Sequence, residues 1–367
     1  MNFFDPSGWA NGQAFEAARH AQREGPVRWM PGADVLAVLG HAEALEVLSD
    51  SERFTSRRGT GLAEAGTTGR SLNLDDPPRS LELRRLLQTV MDQPETSESR
   101  ALLVQSANDA VSRARVRGDA DALNDLAAPV ARASFGRLFG LEADELTLLC
   151  HLTEGLARSG RARLVQPRAD DELRSFLRAG LAERRTGAFW DVGRSAMERG
   201  LTTEDAMFLL RLVVQTGHES TAQAIAGAIH AALEHQLPFD SSPHALEEWL
   251  RWTSPLIRFA RVATRPTTVG AFEVAEGARL VVIFPVVNRD PAVFTSPETI
   301  DLQRAPNAHL AFGWGPHACA GARLAKQQLA AVLDALRAVD RPSLSAPPVR
   351  LESGVTNGFV RVPLRFG

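Results

Sequence analysis

Residues 312–321 combine one cysteine with a glycine-rich turn that runs into a strongly helical sequence. The glycines at 313, 315 and 321 permit a positive φ and let flat ligand atoms approach the backbone closely. From Gly321 onward the sequence predicts a helix, so Cys319 lies near a helix N-terminus, where free N–H groups and the dipole favour an anion. These conditions lower the pKa of a thiol. A thiolate at this position could hold a metal.

Three interpretations of this segment compete when its residues are considered alone. A lone cysteine is usually a small buried hydrophobic residue. The segment also matches the dinucleotide-binding pattern G-x-G-x-x-A, and Asp334 follows about 20 residues later. That interpretation fails because Asp334 falls inside the predicted helix and no clean apolar strand leads into Gly313. The third interpretation is a haem pocket in which the cysteine is the axial thiolate.

A polar segment, residues 215–221, interrupts the longest predicted helix, at about 204–235. The opening turns of that helix are apolar on nearly every side, which is typical of a central buried helix. Buried polar groups there are costly unless the protein uses them. One interpretation is that Ser220 and Thr221 bond back to preceding carbonyls and bend the axis. A zinc-protease motif is excluded, because its second histidine would stand at Ala222.

Glu248 and Arg251 stand three residues apart on a short predicted helix after Pro243, and therefore share one face of it. Considered alone, such a pair lies on the surface and contributes little to stability. Another role for the pair could be inferred only from its place among other motifs along the chain.

The periodicity predicts a mainly α protein with a small β region, in a single large domain over residues 1–367. Helices are expected at 12–24, 41–48, 75–90, 95–116, 122–138, 142–158, 170–185 and 204–235, and from 321 onward. Strands are expected at 35–39, 261–264, 268–272 and 279–282, with a last pair at 349–351 and 360–364. Residues 51–74 predict a long loop, and loops of that length are often functional.

The composition excludes several classes of function. A net charge of −3 and a pI near 6.3 give no overall attraction to nucleic acid. The only lysine, Lys326, is followed by glutamine, which rules out a Gly-Lys-Ser/Thr phosphate loop. Two cysteines build no disulfide framework, and Cys150 is expected in the core. Because neither a signal peptide nor a membrane span of ~20 apolar residues is evident, we expect a soluble, cytoplasmic protein.

The order of these signals is specific: a polar break in a long helix, Glu-x-x-Arg, a β segment, and then F-G-x-G-x-H-x-C-x-G. In this order the sequence resembles a cytochrome P-450 of the soluble bacterial type, a haem-thiolate monooxygenase. The resemblance implies the cytochrome P-450 fold, with a long central helix over the haem. It also implies haem b (iron protoporphyrin IX) as cofactor, O2 as cosubstrate, and insertion of one oxygen atom into a small organic substrate.

The resemblance assigns cofactor-binding roles to Arg84, Arg261, Phe312, His317 and Cys319. Cys319 would be the metal ligand on the proximal side of the iron, where its negative sulfur favours O–O cleavage. Phe312 would pack near that sulfur. Arg261 and His317 match positions that contact the haem propionates, and Arg84 matches the arginine of the family's H-x-x-x-R. The histidine of that motif is Ser80 here, which removes one cation near a propionate.

Glu248 and Arg251 match the family's E-x-x-R, and Arg304 matches the third member of a buried ion network behind the haem. The implied role of this network is to hold the cysteine loop. Loss of one member would leave a buried charge unpaired, which costs several kcal/mol.

Residues 216–221 resemble the family's oxygen-activating A-G-x-[DE]-T-T, with Thr216 in place of alanine and Ser220 in place of the first threonine. The implied catalytic residues are Glu219 and Ser220, an alcohol backed by a carboxylate that can relay protons inside a dry pocket. Serine keeps the hydroxyl but lacks the methyl group that stiffens χ1. We therefore expect some peroxide to leak.

Substrate contacts are implied for Thr216, Ile257, Phe259, Val355 and Thr356, and for the loop at 57–73. Arg57 and Arg58 in that loop could recognise an anionic substrate, although arginines in loops are usually only solvated. The connection at 159–168, where the roof of the pocket would lie, is compact. A wider mouth, or a roof built differently, is expected from it.

The resemblance also implies a ferredoxin and a ferredoxin reductase as electron donors. An acidic iron–sulfur protein would dock on the cysteine side, where Arg85, Arg323 and Lys326 could form a positive patch.

A peroxide-driven peroxygenase and a non-oxygenating isomerase would use the same fold, and Glu219 with Ser220 argues against both. A non-catalytic haem sensor is the alternative from another class, for which the sequence offers no partner domain.

Overall fold

The structure is a computed structural model of the chain, and it describes residues 4–62, 72–92, 96–158 and 167–367. Most of the predicted substrate loop at 57–73 and of the predicted roof connection at 159–168 lies outside these residues. Among the described residues, no helix combines the length and the apolar character that crossing a membrane requires.

The described part of the chain is mainly helical, as the periodicity predicts. Its α-helices are α1 (Pro6–Ala10), α2 (Gln13–Glu24), α3 (His41–Ser49), α4 (Arg79–Met91), α5 (Ser97–Arg117), α6 (Ala128–Phe139), α7 (Ala143–Arg158), α8 (Pro167–Ala182), α9 (Ala188–Glu198), α10 (Thr203–Gly217), α11 (Glu219–Glu234), α12 (Pro243–Thr253), α13 (Phe284–Val287) and α14 (Ala322–Arg337). A π-helical turn, Ala122–Ala127, precedes α6.

The prediction of one unbroken helix at 204–235 is wrong. Helix α10 ends at Gly217, α11 begins at Glu219, and His218 between them is non-helical, with φ −133° and ψ −33°. Glycine favours helix ends because its backbone is entropically costly to hold in a helix. A Cβ at Gly217 would stand 2.3 Å from the Phe135 ring, so the missing side chain also lets α10 lie against α6.

The strands are β1 (Val27–Met30), β2 (Val35–Val38), β3 (Phe54–Thr55), β4 (Asp119–Asp121), β5 (Arg258–Ala263), β6 (Thr267–Val269), β7 (Phe272–Val274), β8 (Arg279–Ile283), β9 (Ser343–Leu344), β10 (Val349–Arg350), β11 (Phe359–Arg361) and β12 (Pro363–Arg365). The largest sheet has the order β1-β2-β8-β5-β3, with β2 and β8 parallel and the other pairs antiparallel. It joins strands near the N-terminus to strands more than 200 residues later.

The predicted terminal pair is confirmed in part. Strand β10 pairs with β11 in antiparallel fashion, and residues 357–358 stand between them. The last predicted strand is divided, because Val362 separates β11 from β12, and β12 pairs with β4 and β9 in another sheet.

Helix α11 lies at the centre of the largest apolar cluster, which also contains buried residues of α5, α12 and α14. Almost every residue of α11 from Thr221 to Ala232 is buried. A second cluster fills the space between α4, α6, α9 and α10. The α10–α11 junction therefore crosses the middle of the molecule, between its two main cores.

Candidate active site

The loop before α14 holds Cys319 by backbone hydrogen bonds. The Cys319 N–H donates to the Phe312 carbonyl at 2.8 Å, and the Gly313 N–H donates to the Leu310 carbonyl at 2.9 Å. A short 3-10 turn, Gly315–His317, separates these two contacts. Helix α14 begins directly after its N-cap, Gly321, so the predicted position of the cysteine beside a helix N-terminus is confirmed.

Glycine is required at position 315 for two reasons. Its φ is +68°, in the left-handed region that side chains disfavour. A Cβ there would also stand 2.5 Å from the Leu48 carbonyl oxygen, which belongs to α3. The backbone of the loop thus lies directly against the backbone of a neighbouring helix.

The Cys319 thiol is accessible from a large cavity and lies deep beneath the outer surface of the protein. Burial raises the pKa of this thiol, and the Gly321 N–H and the Arg84 charge only partly oppose that effect. The expectation of a lowered pKa from the helix N-terminus is therefore wrong for the protein alone. Desolvation of the sulfur outweighs the single N–H and the one nearby cation.

The cavity beside Cys319 holds about 1520 Å³ of space free of protein atoms, including its open mouth. Its walls come from α4, α10, α11, β5 and the cysteine loop. The predicted site residues on its surface are Arg84, Thr216, Ser220, Phe259, Arg261, Phe312, His317 and Cys319.

Three of the predicted substrate-lining residues do not reach the cavity surface formed by the described residues. Ile257 is fully buried in the apolar cluster behind the large sheet, Val355 is exposed, and Thr356 is buried where it bridges to Leu256. Strand β5 begins only at Arg258, so the alternation that places Phe259 and Arg261 on the cavity does not extend back to Ile257.

The wall contains apolar residues that sequence reasoning missed. They are Leu87, Met91, Leu212 and Val213. Helical periodicity marks most of these as apolar, but periodicity does not distinguish a face on a cavity from a face in the core.

Two cationic side chains and a histidine on the cavity surface suit the propionates of a haem. Arg261 is 4% exposed, and its Nη1 donates to the Ala260 carbonyl at 2.9 Å, with no ion-pair carboxylate among the described residues. Burial lowers its pKa to about 10, opposed by the charge of Asp76. The Arg84 guanidinium donates to the Ala318 carbonyl.

His317 lies between this cavity and Ser56. Its Nε2 is 3.2 Å from Ser56 Oγ, whereas its buried Nδ1 has no hydrogen-bond partner among the described residues. A carboxylate placed in the cavity would give Nδ1 and the Arg261 guanidinium the partners that buried polar groups require. The residues present therefore fit haem b, held by one thiolate.

Ser80, at the position of the family's histidine, is completely buried one turn before Arg84 on α4. Its hydroxyl has no hydrogen-bond partner among the described residues, and it does not line the part of the cavity that they form. Arg84 and Arg261 are therefore the two arginines that face the cavity formed by the described residues.

The Glu248 network is buried, which overturns the surface interpretation of the pair considered alone. Glu248 and Arg251 are 0% exposed and form two contacts of 2.7 Å, and Arg304 Nε lies 3.0 Å from Glu248 Oε2. Burial acts to raise the pKa of Glu248, but hydrogen bonds from Arg251 and the Asp301 N–H outweigh it and lower the pKa. The carboxylate stays ionised.

The network fastens a long irregular segment to α12. Arg251 donates to the carbonyls of Asn288, Pro297 and Thr299, and Arg304 donates to the carbonyl of Thr295. This segment leads directly into the cysteine loop, so the network fixes the path of the chain that approaches Cys319.

Ser220 and Glu219 face different spaces at the start of α11. Ser220 lines the large cavity and its Oγ lies 3.4 Å from the Thr216 carbonyl, whereas Glu219 lines a smaller second cavity with Arg132 and His218. His218 is 3% exposed, and its Nε2 has no hydrogen-bond partner among the described residues. Both residues lie on α11, after the break, and consecutive helix positions point in different directions, so the alcohol and the carboxylate of the predicted relay line different cavities.

Stability is expected to fall as the pH decreases from about 6.5 towards 4, and His218→Gln should remove part of that fall. Burial, reinforced by the Arg132 charge, lowers the pKa of His218 to about 4. As the pH falls, the imidazole of residue 218 therefore binds its proton in the unfolded chain before it does so in the folded protein. The free energy of unfolding is unaffected by this group above about pH 6.5, and it decreases by on the order of 3 kcal/mol as the pH falls from there towards 4. Urea unfolding at several pH values measures the slope. His244→Gln, at an exposed position, should leave that slope unchanged.

Among the described residues, no group of three or more His, Cys, Asp or Glu side chains converges as a metal site.

Sequence and structure comparisons relate this chain to one family of known proteins. The family model described as Cytochrome P450 matches residues 242–336. A putative cytochrome P450 126 of Mycobacterium tuberculosis is 29% identical over 359 residues, covering 86% of this chain and 84% of that protein. A steroid C26-monooxygenase of the same species is 27% identical over 312 residues, covering 79% of this chain and 84% of that protein.

A solved structure shares the fold over the whole chain. P450 OxyD, described as involved in the biosynthesis of vancomycin-type antibiotics, superposes with a TM-score of 0.86 at 26% identity, covering 100% of this chain and 99% of that one. The chain belongs to the cytochrome P450 superfamily, and it is a monooxygenase-class oxidoreductase that uses haem b and O2.

Proposed function

We propose that this P450 inserts one oxygen atom from O2 into a small, largely apolar substrate, with Cys319 as the iron ligand and a ferredoxin-type protein as electron donor. The observation that carries the proposal is that Cys319 and Ser220 line one cavity whose remaining wall is mostly apolar. When bound, haem supplies the iron at which O2 is reduced.

The residues of the chain would provide position, dryness and protons. Arg84, Arg261 and His317 would hold the propionates, and Phe312 would cover the side of the ring nearest the thiolate. Leucines and Phe259 would exclude water around the substrate. Ser220 Oγ would pass protons into this space, supplied through Glu219 and the second cavity behind it.

Ser220→Ala is expected to uncouple electron use from product formation, because the hydroxyl that faces the cavity is lost. Electron consumption should continue while product per electron falls by ~10²-fold, the lower end of the effect of losing a proton-transfer group. Ser220→Thr is the matched control, and it should keep or improve coupling, since the added methyl restricts χ1. Equal coupling in the alanine variant and the parent would refute the assignment.

We propose that the substrate is neutral in the part that enters the cavity. Arg57 is exposed and lies 3.8 Å from Asp76, and neither Arg57 nor Arg58 lines the cavity that the described residues form. A relative named for oxidising steroids supports an apolar substrate class. Titration of the haem spectrum with neutral sterols and with long-chain carboxylates would decide; a shift with the carboxylates alone would contradict the proposal.

The ferredoxin proposal is supported by exposed cations near α14. Arg85 is exposed, and Arg323 donates to the Met91 carbonyl at 2.5 Å, whereas Lys326 is already paired with Glu247. Neutralising Arg85 and Arg323 together should slow reduction by a ferredoxin and weaken its salt dependence. Stopped-flow reduction at several ionic strengths measures this. Unchanged rates would place the docking site elsewhere.

Turnover with the ferredoxin, its reductase and O2 tests the whole function, and peroxide alone supporting equal turnover would favour the peroxygenase alternative. A single domain over 1–367 is supported by the large sheet, which pairs strands at 27–55 with strands at 258–283. A cytoplasmic location stays a prediction.

A further inference from the structure

Glu247, His309 and Lys326 form a cluster of hydrogen-bonded side chains behind the cysteine loop. Glu247 Oε2 lies 2.9 Å from His309 Nε2, and its Oε1 lies 2.9 Å from Lys326 Nζ. The three residues come from α12, from the segment before the cysteine loop, and from α14. We call them the Glu247 cluster. It is separate from the Glu248 network, although the two glutamates are neighbours in sequence.

The hydrogen bonds define the charges of the cluster. The Ala311 N–H donates to His309 Nδ1 at 3.2 Å, so Nδ1 is an acceptor and the ring proton lies on Nε2, which donates to Glu247. The hydrogen bond from His309, against the effect of burial and with the help of Lys326, lowers the pKa of Glu247 to about 2. The cluster thus contains one fixed negative charge and one fixed positive charge, linked by a neutral imidazole.

Lys326, and the His309 imidazole that Glu247 binds, both lie close to Phe312, the residue proposed to cover the thiolate. The His309 and Phe312 ring centroids are 6.0 Å apart, and Lys326 Nζ is 5.9 Å from the Phe312 ring centroid. The Phe312 carbonyl accepts the Cys319 N–H, and Phe312 lines the large cavity. Charges at this range, about a third exposed, are only partly screened by water.

The cation of the cluster is unusual for this chain. The protein has 41 lysine and arginine residues, and Lys326 is its only lysine. A lysine presents a compact point charge, whereas arginine spreads its charge over a planar fork. At this position the compact charge faces both the Glu247 carboxylate and the Phe312 ring.

We propose that the Glu247 cluster sets the reduction potential of the thiolate-bound haem through its two opposed charges. This inference rests on the proposed ligation by Cys319. Glu247 and Lys326 are positioning residues here: they contact neither substrate nor iron, and act through Phe312 and the loop that it anchors. A negative charge behind the thiolate disfavours addition of an electron, and the positive charge compensates for it.

The test is the midpoint potential of the haem-loaded protein, measured by spectroelectrochemistry at fixed pH and ionic strength. Glu247→Gln should raise the potential, Lys326→Gln should lower it, and the double variant should return close to the parent. Lys326→Arg keeps the charge and should shift it least. A purely structural role would instead move both single variants in the same direction, as the loop loosens, and would overturn the proposal.

Asp334→Asn and Arg337→Gln are matched controls, because these residues form an exposed ion pair on the same helix, α14, and change the net charge identically. They should leave the potential unchanged, and shifts equal to those of the cluster variants would also overturn the proposal. The reduced, carbon-monoxide-bound spectrum separates the two levels of inference. If the cluster variants keep a spectrum typical of thiolate ligation and their midpoint potential equals that of the parent, the proposed function stands and the cluster proposal fails.

The lone lysine offers a second readout that needs no haem. Reductive methylation with ¹³C-formaldehyde keeps the charge and labels Lys326 together with the N-terminal amine. Its NMR signal should move in Glu247→Gln and stay in place in Asp334→Asn. An unchanged Lys326 signal in Glu247→Gln would show that the ion pair between Lys326 and Glu247 does not form in solution, and would contradict the proposal.

Discussion

Replacing Cys319 with histidine is expected to abolish the red-shifted absorption of the reduced, carbon-monoxide-bound protein, together with monooxygenase activity. The red shift depends on a thiolate opposite the bound gas, and imidazole is a neutral ligand that does not supply the same electron density. The cavity and its propionate partners, Arg84, Arg261 and His317, would remain. Haem could therefore still bind, with a changed spectrum, which an absorption scan of the purified variant measures.

Cys150→Ala is the matched control for this experiment. Cys150 is the other cysteine of the chain, buried in α7 and outside the cavity wall formed by the described residues. The control should keep the red-shifted band even if it costs some stability. A band that survives in Cys319→His, or disappears in Cys150→Ala, would contradict the assignment of the ligand.

Glu248→Gln is expected to lower the free energy of unfolding by ~3–5 kcal/mol. Glu248 neutralises Arg251 and Arg304, which are 0% and 8% exposed, and its loss leaves two buried guanidinium groups without a counter-charge. Because the same arginines fasten the segment that leads to Cys319, haem should also be retained less well. Urea unfolding followed by tryptophan fluorescence, and haem transfer to an acceptor protein, measure the two effects.

Glu82→Gln gives the comparison on the surface. Glu82 lies 3.4 Å from Arg79 on α4 with nearly half of its side chain exposed, so its loss should cost less than ~1 kcal/mol. If Glu248→Gln is no more harmful than Glu82→Gln, the network does not stabilise the fold as described. The same chemical change at two depths isolates the effect of burial.

The elements that depend on neighbouring residues could be predicted from the sequence. Helices α3, α5, α7 and α14 match their predicted ranges closely, because their apolar periodicity is a local property. The cysteine loop was also local: its glycines, its proline and the following helix define a turn within about ten residues. The spacing of Glu248 and Arg251 could be read from the sequence. The burial of the pair could not, because it depends on packing by residues 288–307, which are distant in the chain.

What the sequence by itself determined was the helical class, the thiol beside a helix N-terminus, and, through the order of its motifs, the family. What only the tertiary structure decided was where these groups face. It broke the central helix at His218, placed Ser220 and Glu219 on separate cavities, turned Ile257 into the core, and paired Lys326 with Glu247 across 79 residues. The physical reason is that facing, burial and desolvation depend on contacts between distant segments. Desolvation also reversed the expected direction of the Cys319 pKa, because a helix N-terminus is a local feature and burial is not.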